Sequence, residues 1–254
     1  MARAAAALSQ AGLNQAAQAV GVELPALWAV MTVETKGCGF LPDRRPQILF
    51  ERHIFHRRTH GLFDAQAPDL SNAVAGGYGA GGAFQHDRLQ RAMQLDREAA
   101  LESTSWGLGQ VMGFNAADAG YADVEAMVVA MGASEDAQLG AMIGFITKNS
   151  LATYLQQSDW AGFASRYNGS DFQKNDYDGK LSRAHSRFLA GPLPSLDVRA
   201  AQLYLTYLGY NAGGVDGWYG VNTQKALIKF QNDQGLPPVG RLDAATLARL
   251  DQAV

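Results

Sequence analysis

The sequence predicts a mainly helical protein that ends in a small, separate helical unit. Along most of the chain, apolar residues recur at intervals of three and four, the spacing of amphipathic helices. One short segment, residues 47–51, alternates like a strand, and residues 191–195 contain two prolines and a glycine, as linkers do. Helices are predicted over residues 5–19, 25–35, 89–103, 124–131, 135–149, 177–189, 198–208 and 222–234, with another from Asp243 and a buried helix beginning within residues 105–115.

Composition limits the classes of protein that fit. The 254 residues suffice for one large domain or two unequal ones. Hydrophobic residues make up 47% and charged residues 18%, values typical of a globular protein and not of a disordered or fibrous one. The net charge of −3 argues against general binding to nucleic acid. The single cysteine, Cys38, excludes an intrachain disulfide framework and a zinc site built from cysteines.

The first ten residues carry one positive charge and no sustained apolar run, so they indicate a helix and not a secretory signal. No segment approaches the roughly 18 apolar residues that a membrane helix needs. We therefore expect synthesis in the cytosol, no stable membrane association and, for any action outside the cell, release by another factor.

Two carboxylates on different elements form the strongest candidate site. Glu34 lies on the apolar side of a predicted helix that ends at Gly37, where desolvation raises the pKa of a carboxyl group. A raised pKa is what a general acid needs at neutral pH. Glu51 lies at the end of the predicted strand, or on the face opposite Phe50. Two carboxylates placed in this way can flank a glycosidic bond.

A structural role for both carboxylates is the alternative. Glu34 could cap its helix or pair with Arg44 and Arg45, and Glu51 could pair with Arg52 or with a neighbouring histidine. Carboxylates in structural ion-pair networks also have perturbed pKa values, so spacing alone leaves both interpretations open.

Three histidines, His53, His56 and His60, have the spacing of ligands on one helix face. The segment lacks the acidic residue of the His-Glu-x-x-His pattern and has arginines between its histidines. We predict a solvated polar face and no metal site.

Two further segments could contribute to a cleft. Residues 76–82 contain five glycines but match neither a phosphate loop nor a dinucleotide fingerprint, so they predict either a connection or a cleft wall with Tyr78 as a stacking face. Ser105 and Gln110 could reach the hydroxyl or amide groups of a substrate. Asn168 begins a strong turn signal that ends the helix before it.

The last 59 residues, 196–254, have balanced charges, and Asn222 and Asp243 are good N-cap residues. A neutral, compact three-helix unit behind a linker is more often a binding or targeting module than a second catalytic domain. They resemble the small three-helix type of peptidoglycan-binding domain. The resemblance implies that Asp216, Trp218 and Tyr219 shape a wall-binding groove. Its motifs are Tyr207-Leu-Gly-Tyr, Val215-Asp-Gly-Trp-Tyr-Gly, Phe230-Gln, Gly235-Leu and Gly240-Arg-Leu-Asp-Ala-Ala-Thr-Leu.

Residues 21–189 resemble the N-acetylmuramidase domain of phage endolysins. This resemblance implies a lysozyme-like helical fold with a small β-hairpin, Glu34 as general acid and Glu51 as second carboxylate. It departs from the family at Lys36, where a small residue is more usual. The motifs are Ala29-Val-Met-Thr-Val-Glu-Thr, Arg45-Pro-Gln-Ile-Leu-Phe-Glu-Arg-His, Gly76-Gly-Tyr-Gly, Ser105-Trp-Gly-Leu-Gly-Gln-Val-Met-Gly and Tyr167-Asn-Gly.

The sequence thus predicts a muramidase domain over residues 1–190, a linker over 191–195 and a wall-binding domain over 196–254. The enzyme is expected to be a monomer without a cofactor, to bind peptidoglycan and to reach the wall after holin-type release. Tyr78, Ser105, Gln110, Tyr167 and Asn168 are expected to bind substrate. Removing the wall-binding domain is expected to weaken binding to sacculi more than turnover of short soluble fragments.

Three alternatives remain open at this stage. Lytic transglycosylases share the fold and the single essential glutamate, and parts of the motifs around Ser105 and Tyr167 resemble theirs. A metal-dependent wall amidase or peptidase would use the three histidines. A non-catalytic wall-binding protein would not need Glu34.

Overall fold

The computed structural model describes residues 5–34, 37–167, 169 and 172–254, without the side chains of Glu34 and Phe172. The fold is mainly helical, as predicted. Its helices are α1 Gln10–Val20, α2 Leu24–Glu34, α3 Arg52–Arg58, α4 Ala83–Met93, α5 Arg97–Glu102, α6 Val124–Ala133, α7 Glu135–Lys148, α8 Ala152–Gln156, α9 Trp160–Tyr167, α10 Tyr177–Ala190, α11 Leu196–Tyr207, α12 Val221–Asp233 and α13 Ala244–Ala253.

A small antiparallel sheet lies among these helices. Its strands are β1 Ile48–Phe50, β2 Thr104–Trp106 and β3 Val111–Met112, in the order β1-β2-β3. The predicted hairpin is therefore part of a three-stranded sheet, and the prediction of a helix beginning within residues 105–115 is wrong. Gly107 and Gln110 both have positive φ, at 66° and 48°, and turn the chain back between β2 and β3.

Capping residues explain where other predicted boundaries were wrong. The helix predicted over residues 89–103 is two helices, because Asp96 caps α5 by accepting from the backbone N–H of Ala99. The first helix begins at Gln10 and not at Ala5, since Ser9 caps it. Ala6 lies outside that helix and forms a parallel bridge with Ser134. Helix α12 is capped by Gly220 and not by Asn222, whereas Asp243 caps α13 as predicted.

Two buried cores meet at the boundary between the main body and the C-terminal helices. The larger core lies beneath α2, α7 and the sheet, with Leu27, Phe50 and Met142 fully buried. The smaller core lies among α11, α12 and α13, around residues such as Phe230 and Leu250. Two residues of the N-terminal part, Ala5 and Phe40, belong to this smaller core. The C-terminal helices are consequently packed onto the main body.

Among the described residues, no single helix combines the length and apolarity needed to cross a membrane. Helices α1 and α2 meet that test only when they are taken together, with a bend of 103° between them.

One buried amide connects the sheet to the segment that follows α2. Gln138, on α7, is 1% exposed. Its Oε1 accepts from the N–H of Leu108 at 2.8 Å, and its Nε2 donates to the carbonyls of Gly39 at 3.2 Å and Met131 at 2.8 Å. Helix α7 thereby holds both the β2–β3 turn and residue 39 in place.

Substitution of Gln138 by Leu tests this connection. Leu fills a similar volume but leaves the buried N–H of Leu108 without its acceptor and removes the bonds to the carbonyls of Gly39 and Met131, so we expect a loss of about 2–5 kcal/mol in the free energy of unfolding. Urea denaturation measures it. Gln90→Leu, at an exposed position of α4, is the control, with an expected change within about 0.5 kcal/mol. Equal stability of the two variants would contradict the assignment.

Candidate active site

A cleft of about 480 Å³ lies between the sheet and the glycine-rich segment. Strand β1 and the β2–β3 turn form one side, and Gly81 and Gly82 form the other. Tyr167 at the end of α9 and Tyr177 at the start of α10 also line it. The cleft thus brings together segments that are far apart in sequence; its polar lining includes Gln47, Glu51, Gln85, Ser105 and Gln110.

Helix α2 delivers Glu34 to the neighbourhood of this cleft. Glu34 is the last residue of α2, and its side chain lies outside the described part of the chain. Cys38, four residues later, lines the cleft. Four residues of fully extended chain span at most about 14 Å, so the backbone of Glu34 lies within that distance of the cleft wall. Lys36 and Thr35 also lie outside the described residues.

Glu51 is a half-buried carboxylate at the end of β1. It occupies the N-cap position of α3 but its side chain makes no capping hydrogen bond, which leaves the carboxylate available to the cleft. Burial raises the pKa of Glu51 above its ordinary value. A hydrogen bond from the Tyr78 hydroxyl, at 3.4 Å, and the charge of Arg57 oppose that rise.

Neither residue considered as a structural partner of Glu51 forms a close pair with it. His53 Nδ1 lies 3.6 Å from Glu51 Oε2, too far for a hydrogen bond. Burial and the charges of Arg57 and Arg52 lower the pKa of His53, so its ring is neutral at pH 7 and the contact is not an ion pair. Arg52 donates to the carbonyl of Val74.

Arg44 and Arg45, the two arginines considered as partners of Glu34, each bind another group. Arg45 pairs with Asp43, at 2.6 Å, and Arg44 donates to the carbonyl of Val254.

The glycine-rich segment is a fixed wall of the cleft. Gln85, which is 1% exposed, donates to the carbonyls of Tyr78 at 2.6 Å and Ala80 at 2.7 Å, and accepts from the N–H of Phe50. Arg88, also buried, donates to the Tyr78 carbonyl at 2.7 Å. Of the two interpretations left open, the structure supports the cleft wall. Tyr78 reaches the site through its hydroxyl, on Glu51.

The other predicted substrate-binding residues shape the cleft through internal bonds. Ser105 Oγ donates to Gln110 Oε1 at 2.9 Å. Gln110 Nε2 donates to the carbonyls of Gly107 and Gln47, so both of its amide hydrogens are used. The Tyr167 hydroxyl donates to the carbonyl of Gly109 at 2.8 Å. Asn168 lies outside the described residues, and substrate contacts for all four stay a prediction.

Comparison with known proteins identifies the family. The N-acetylmuramidase family profile matches residues 23–189, about two thirds of the chain. The chain belongs to the N-acetylmuramidase family. A peptidoglycan binding domain matches residues 194–250, which gives the muramidase the modular organisation of an endolysin.

Individual proteins are similar to the chain as well. The muramidase is similar to the crystal structure of Burkholderia AP3 phage endolysin, with 46% identity and a TM-score of 0.67, over 72% of this chain and 71% of that one. The localization factor PodJL of Caulobacter vibrioides, in two strains, is 48% identical over 54 residues. Those residues are 21% of the muramidase chain, and they span only 6% of PodJL.

The histidines of the muramidase do not share one helix face. Helix α3 ends at Arg58, and His60 lies beyond it with a φ of 52°, so the prediction of three imidazoles in a row is wrong. His56 Nδ1 is 2.8 Å from Asp64, which also accepts from Ser71. Within the described residues, no group of three or more His, Cys, Asp and Glu side chains could hold a metal ion.

The predicted wall-binding residues of the muramidase lie in the turn before α12. Asp216 Oδ1 accepts from Gln202 Nε2 and from the N–H of Trp218, both at 2.9 Å, which orders the turn. Trp218 is half-buried and stacks under the guanidinium of Arg187, 5.0 Å from the ring centre, so it faces the catalytic domain. Tyr219 is 45% exposed, and its hydroxyl donates to the carbonyl of Gly240.

Sequence reasoning missed the buried polar residues that build the site. Gln85, Gln138, Glu135 and Arg199 are each no more than 3% exposed. Their partners are mostly backbone groups in other segments, which periodicity does not reveal. The one available signal was the number of glycines around Gly37 and Gly107, which indicates close approach of backbone segments.

Substitution of Glu51 by Gln tests whether the ionised carboxylate of Glu51 lowers the stability of the folded state. Because the folded state raises the pKa of Glu51, its ionised form is penalised, and the penalty grows as pH rises from the unfolded to the folded pKa. We expect Glu51→Gln to raise the melting temperature at pH 7, with the gain vanishing below about pH 4.

Differential scanning calorimetry across this pH range measures the effect. Glu23→Gln, at an exposed position, is the control, and we expect its effect on stability to stay within about 0.5 kcal/mol. A Glu51→Gln variant less stable than wild type at pH 7 would show that the ionised carboxylate stabilises the fold.

Proposed function

We propose that the protein is a modular endolysin that hydrolyses the β-1,4 bond between N-acetylmuramic acid and N-acetylglucosamine in peptidoglycan and so causes cell lysis. The observation that carries the proposal is the cleft between the sheet and the glycine-rich segment, which has a half-buried carboxylate, Glu51, in its lining and, through Cys38, lies four residues along the chain from Glu34 at the end of α2. Family membership and the peptidoglycan binding domain support the substrate.

In the proposed mechanism Glu34 is the general acid. It protonates the glycosidic oxygen as the bond breaks and an oxocarbenium-like transition state forms. Glu51, ionised, stabilises that charge or activates the attacking water. Its raised pKa makes it a stronger base than an exposed carboxylate, and the Tyr78 hydroxyl holds the anion in place. A carboxylate separation of about 6.5–9.5 Å implies inversion, and about 5–5.5 Å implies retention.

The substrate lies, in this proposal, along the wall formed by the β2–β3 turn. Ser105, Gln110 and Tyr167 present their side chains to the cleft from fixed positions, and Asn168 follows Tyr167 in the chain. We propose that these residues bind the acetamido and hydroxyl groups of the sugar. Tyr78 serves the same site by orienting Glu51.

The division into residues 1–190, a linker over 191–195 and residues 196–254 belongs to the same proposal. It is supported by the end of α10 at Ala190 and the start of α11 at Leu196. The C-terminal domain tethers the enzyme to an insoluble polymer, through the turn of Asp216, Trp218 and Tyr219, and raises its effective concentration there. The enzyme acts as a monomer without a cofactor, on the wall from the periplasm after holin-type release, and engages neither nucleic acid nor membrane stably.

Analysis of the products tests the reaction. Purified peptidoglycan digested by wild type should release fragments with reducing muramic acid ends, and Glu34→Gln should lower their rate of release by at least about 10²-fold. Mass spectrometry of the soluble fraction measures both. Glu98→Gln, on the exposed face of α5, is the matched control and should keep full activity.

Other products would decide against hydrolysis. Fragments with 1,6-anhydro ends would make the enzyme a lytic transglycosylase. Intact glycan with cleaved peptides would exclude both reactions and favour an amidase or peptidase. Full lysis by Glu34→Gln would contradict the catalytic assignment.

The pH dependence tests the role of Glu51. Tyr78 donates to the ionised carboxylate and so lowers its pKa. Tyr78→Phe should therefore raise the pKa of Glu51 and move the acidic limb of the kcat/KM profile to higher pH. Tyr121→Phe, which removes a hydroxyl that donates to Ala137 over the same 3.4 Å, should leave the limb in place. An unshifted limb in Tyr78→Phe would mean that Glu51 does not control it.

A further inference from the structure

A buried ion pair joins the two domains. Arg199, on α11 of the C-terminal domain, is 2% exposed, and Glu135, the first residue of α7, is fully buried. Both terminal nitrogens of the Arg199 guanidinium donate to the Glu135 carboxylate, NH2 at 2.8 Å from Oε1 and NH1 to Oε2. Bidentate pairs of this kind fix the orientation of both partners.

The same two side chains hold the segment that follows α2. Arg199 NH2 also donates to the carbonyl of Gly37 at 2.8 Å. Glu135 accepts from the N–H of Gly39 at 2.9 Å and from the N–H of Leu8 at 3.0 Å. The pair therefore binds the backbone on both sides of Cys38. Both carboxylate oxygens of Glu135 and both terminal nitrogens of Arg199 have hydrogen-bond partners.

The space around these glycines leaves little room for movement. A side-chain carbon on Gly37, which has a φ of 108°, would lie 3.2 Å from the carbonyl oxygen of Val215 in the C-terminal domain. One on Gly39 would overlap the buried amide of Gln138. The segment is thus in close contact both with the C-terminal domain and with α7.

This segment is a wall of the candidate active site. Cys38 lines the cleft, and Gly37 follows the end of α2 by three residues. A displacement of the segment would move Cys38 in the cleft wall, four residues along the chain from the end of the helix that carries Glu34. Errors of about 1 Å in the placement of reacting groups can cost about 10²-fold in rate.

We propose that Arg199 is a positioning residue for the muramidase reaction, supplied by the wall-binding domain to hold residues 37–39 in the cleft wall. The inference rests on the proposed function, in which Glu34 is the general acid. It adds to one expectation from the sequence, because loss of the C-terminal domain should markedly slow turnover of short soluble fragments as well as weaken binding to sacculi.

Arg199→Lys in the full chain is the direct test. Lysine keeps the positive charge beside Glu135, but its single ammonium group cannot pair in the bidentate manner and reach Gly37 as well. We expect kcat on soluble glycan fragments to fall by about tenfold or more, with a smaller change in KM. Arg249→Lys, an exposed substitution in the same domain, should leave kcat unchanged.

Two readouts separate positioning from a general loss of structure or of binding. In a Glu34→Gln background, Arg199→Lys should sediment with sacculi as well as its parent does. Burial and the charge of Glu135 raise the pKa of Cys38 to about 11, so the only thiol of the chain should react slowly with iodoacetamide. Release of residues 37–39 should speed its alkylation under native conditions, at temperatures where the variant is fully folded.

A folded Arg199→Lys variant with unchanged kcat and unchanged Cys38 alkylation overturns the inference. If Arg199→Lys does not fold, the neutral pair Glu135→Gln with Arg199→Met replaces it, because it removes both buried charges while Gln can still accept from Gly39. Normal kcat in that pair also overturns the inference. Full activity of the single variant Glu34→Gln would instead contradict the proposed function, independently of the results for Arg199.

Discussion

The buried pair of Arg199 and Glu135 is the interaction on which the arrangement of this muramidase depends. An ion pair taken out of water gains little net stability, because desolvation offsets most of the attraction, yet breaking one side of it costs about 3–5 kcal/mol. We infer that it favours one arrangement of the two domains. Here that arrangement also settles where the backbone runs after α2, since the pair bonds to Gly37 and Gly39.

Buried polar groups also hold the walls of the cleft in place. Gln85 and Arg88 hold the glycine-rich wall through backbone carbonyls, and Gln110 holds the β2–β3 turn. Glu51 is held less firmly, because it is half-buried and accepts a long hydrogen bond from Tyr78. In the proposed mechanism, a carboxylate kept in such a place is costly for folding and useful for catalysis, the usual exchange between stability and activity.

The sequence predicted the helical class, the small sheet and the wall-binding domain, because these depend on local periodicity, on caps such as Asp243 and on motifs shared with a family. The errors have local causes too. The run from Ser105 to Asn115 has apolar residues at helical spacing, but Gln110 adopts positive φ and the chain reverses. Asp96 divides a helix that periodicity alone continues.

The site was predicted in part. Glu51 could be located because it follows a predicted strand, and Tyr78 because it lies in the glycine-rich segment. The buried network could not be predicted, since Arg199 and Glu135 are 64 residues apart and each resembles a surface residue of an amphipathic helix. Such pairs are determined by how helices pack, which a single sequence does not reveal.

The most direct test of the account is a crystal structure of the Glu34→Gln variant with a peptidoglycan glycan fragment bound. The account predicts that the scissile glycosidic oxygen lies within about 2.6–3.2 Å of the residue 34 amide, with the Glu51 carboxylate on the same sugar and the chain running along the β2–β3 turn. A glycan bound in the cleft with residue 34 or Glu51 far from the scissile bond would contradict it.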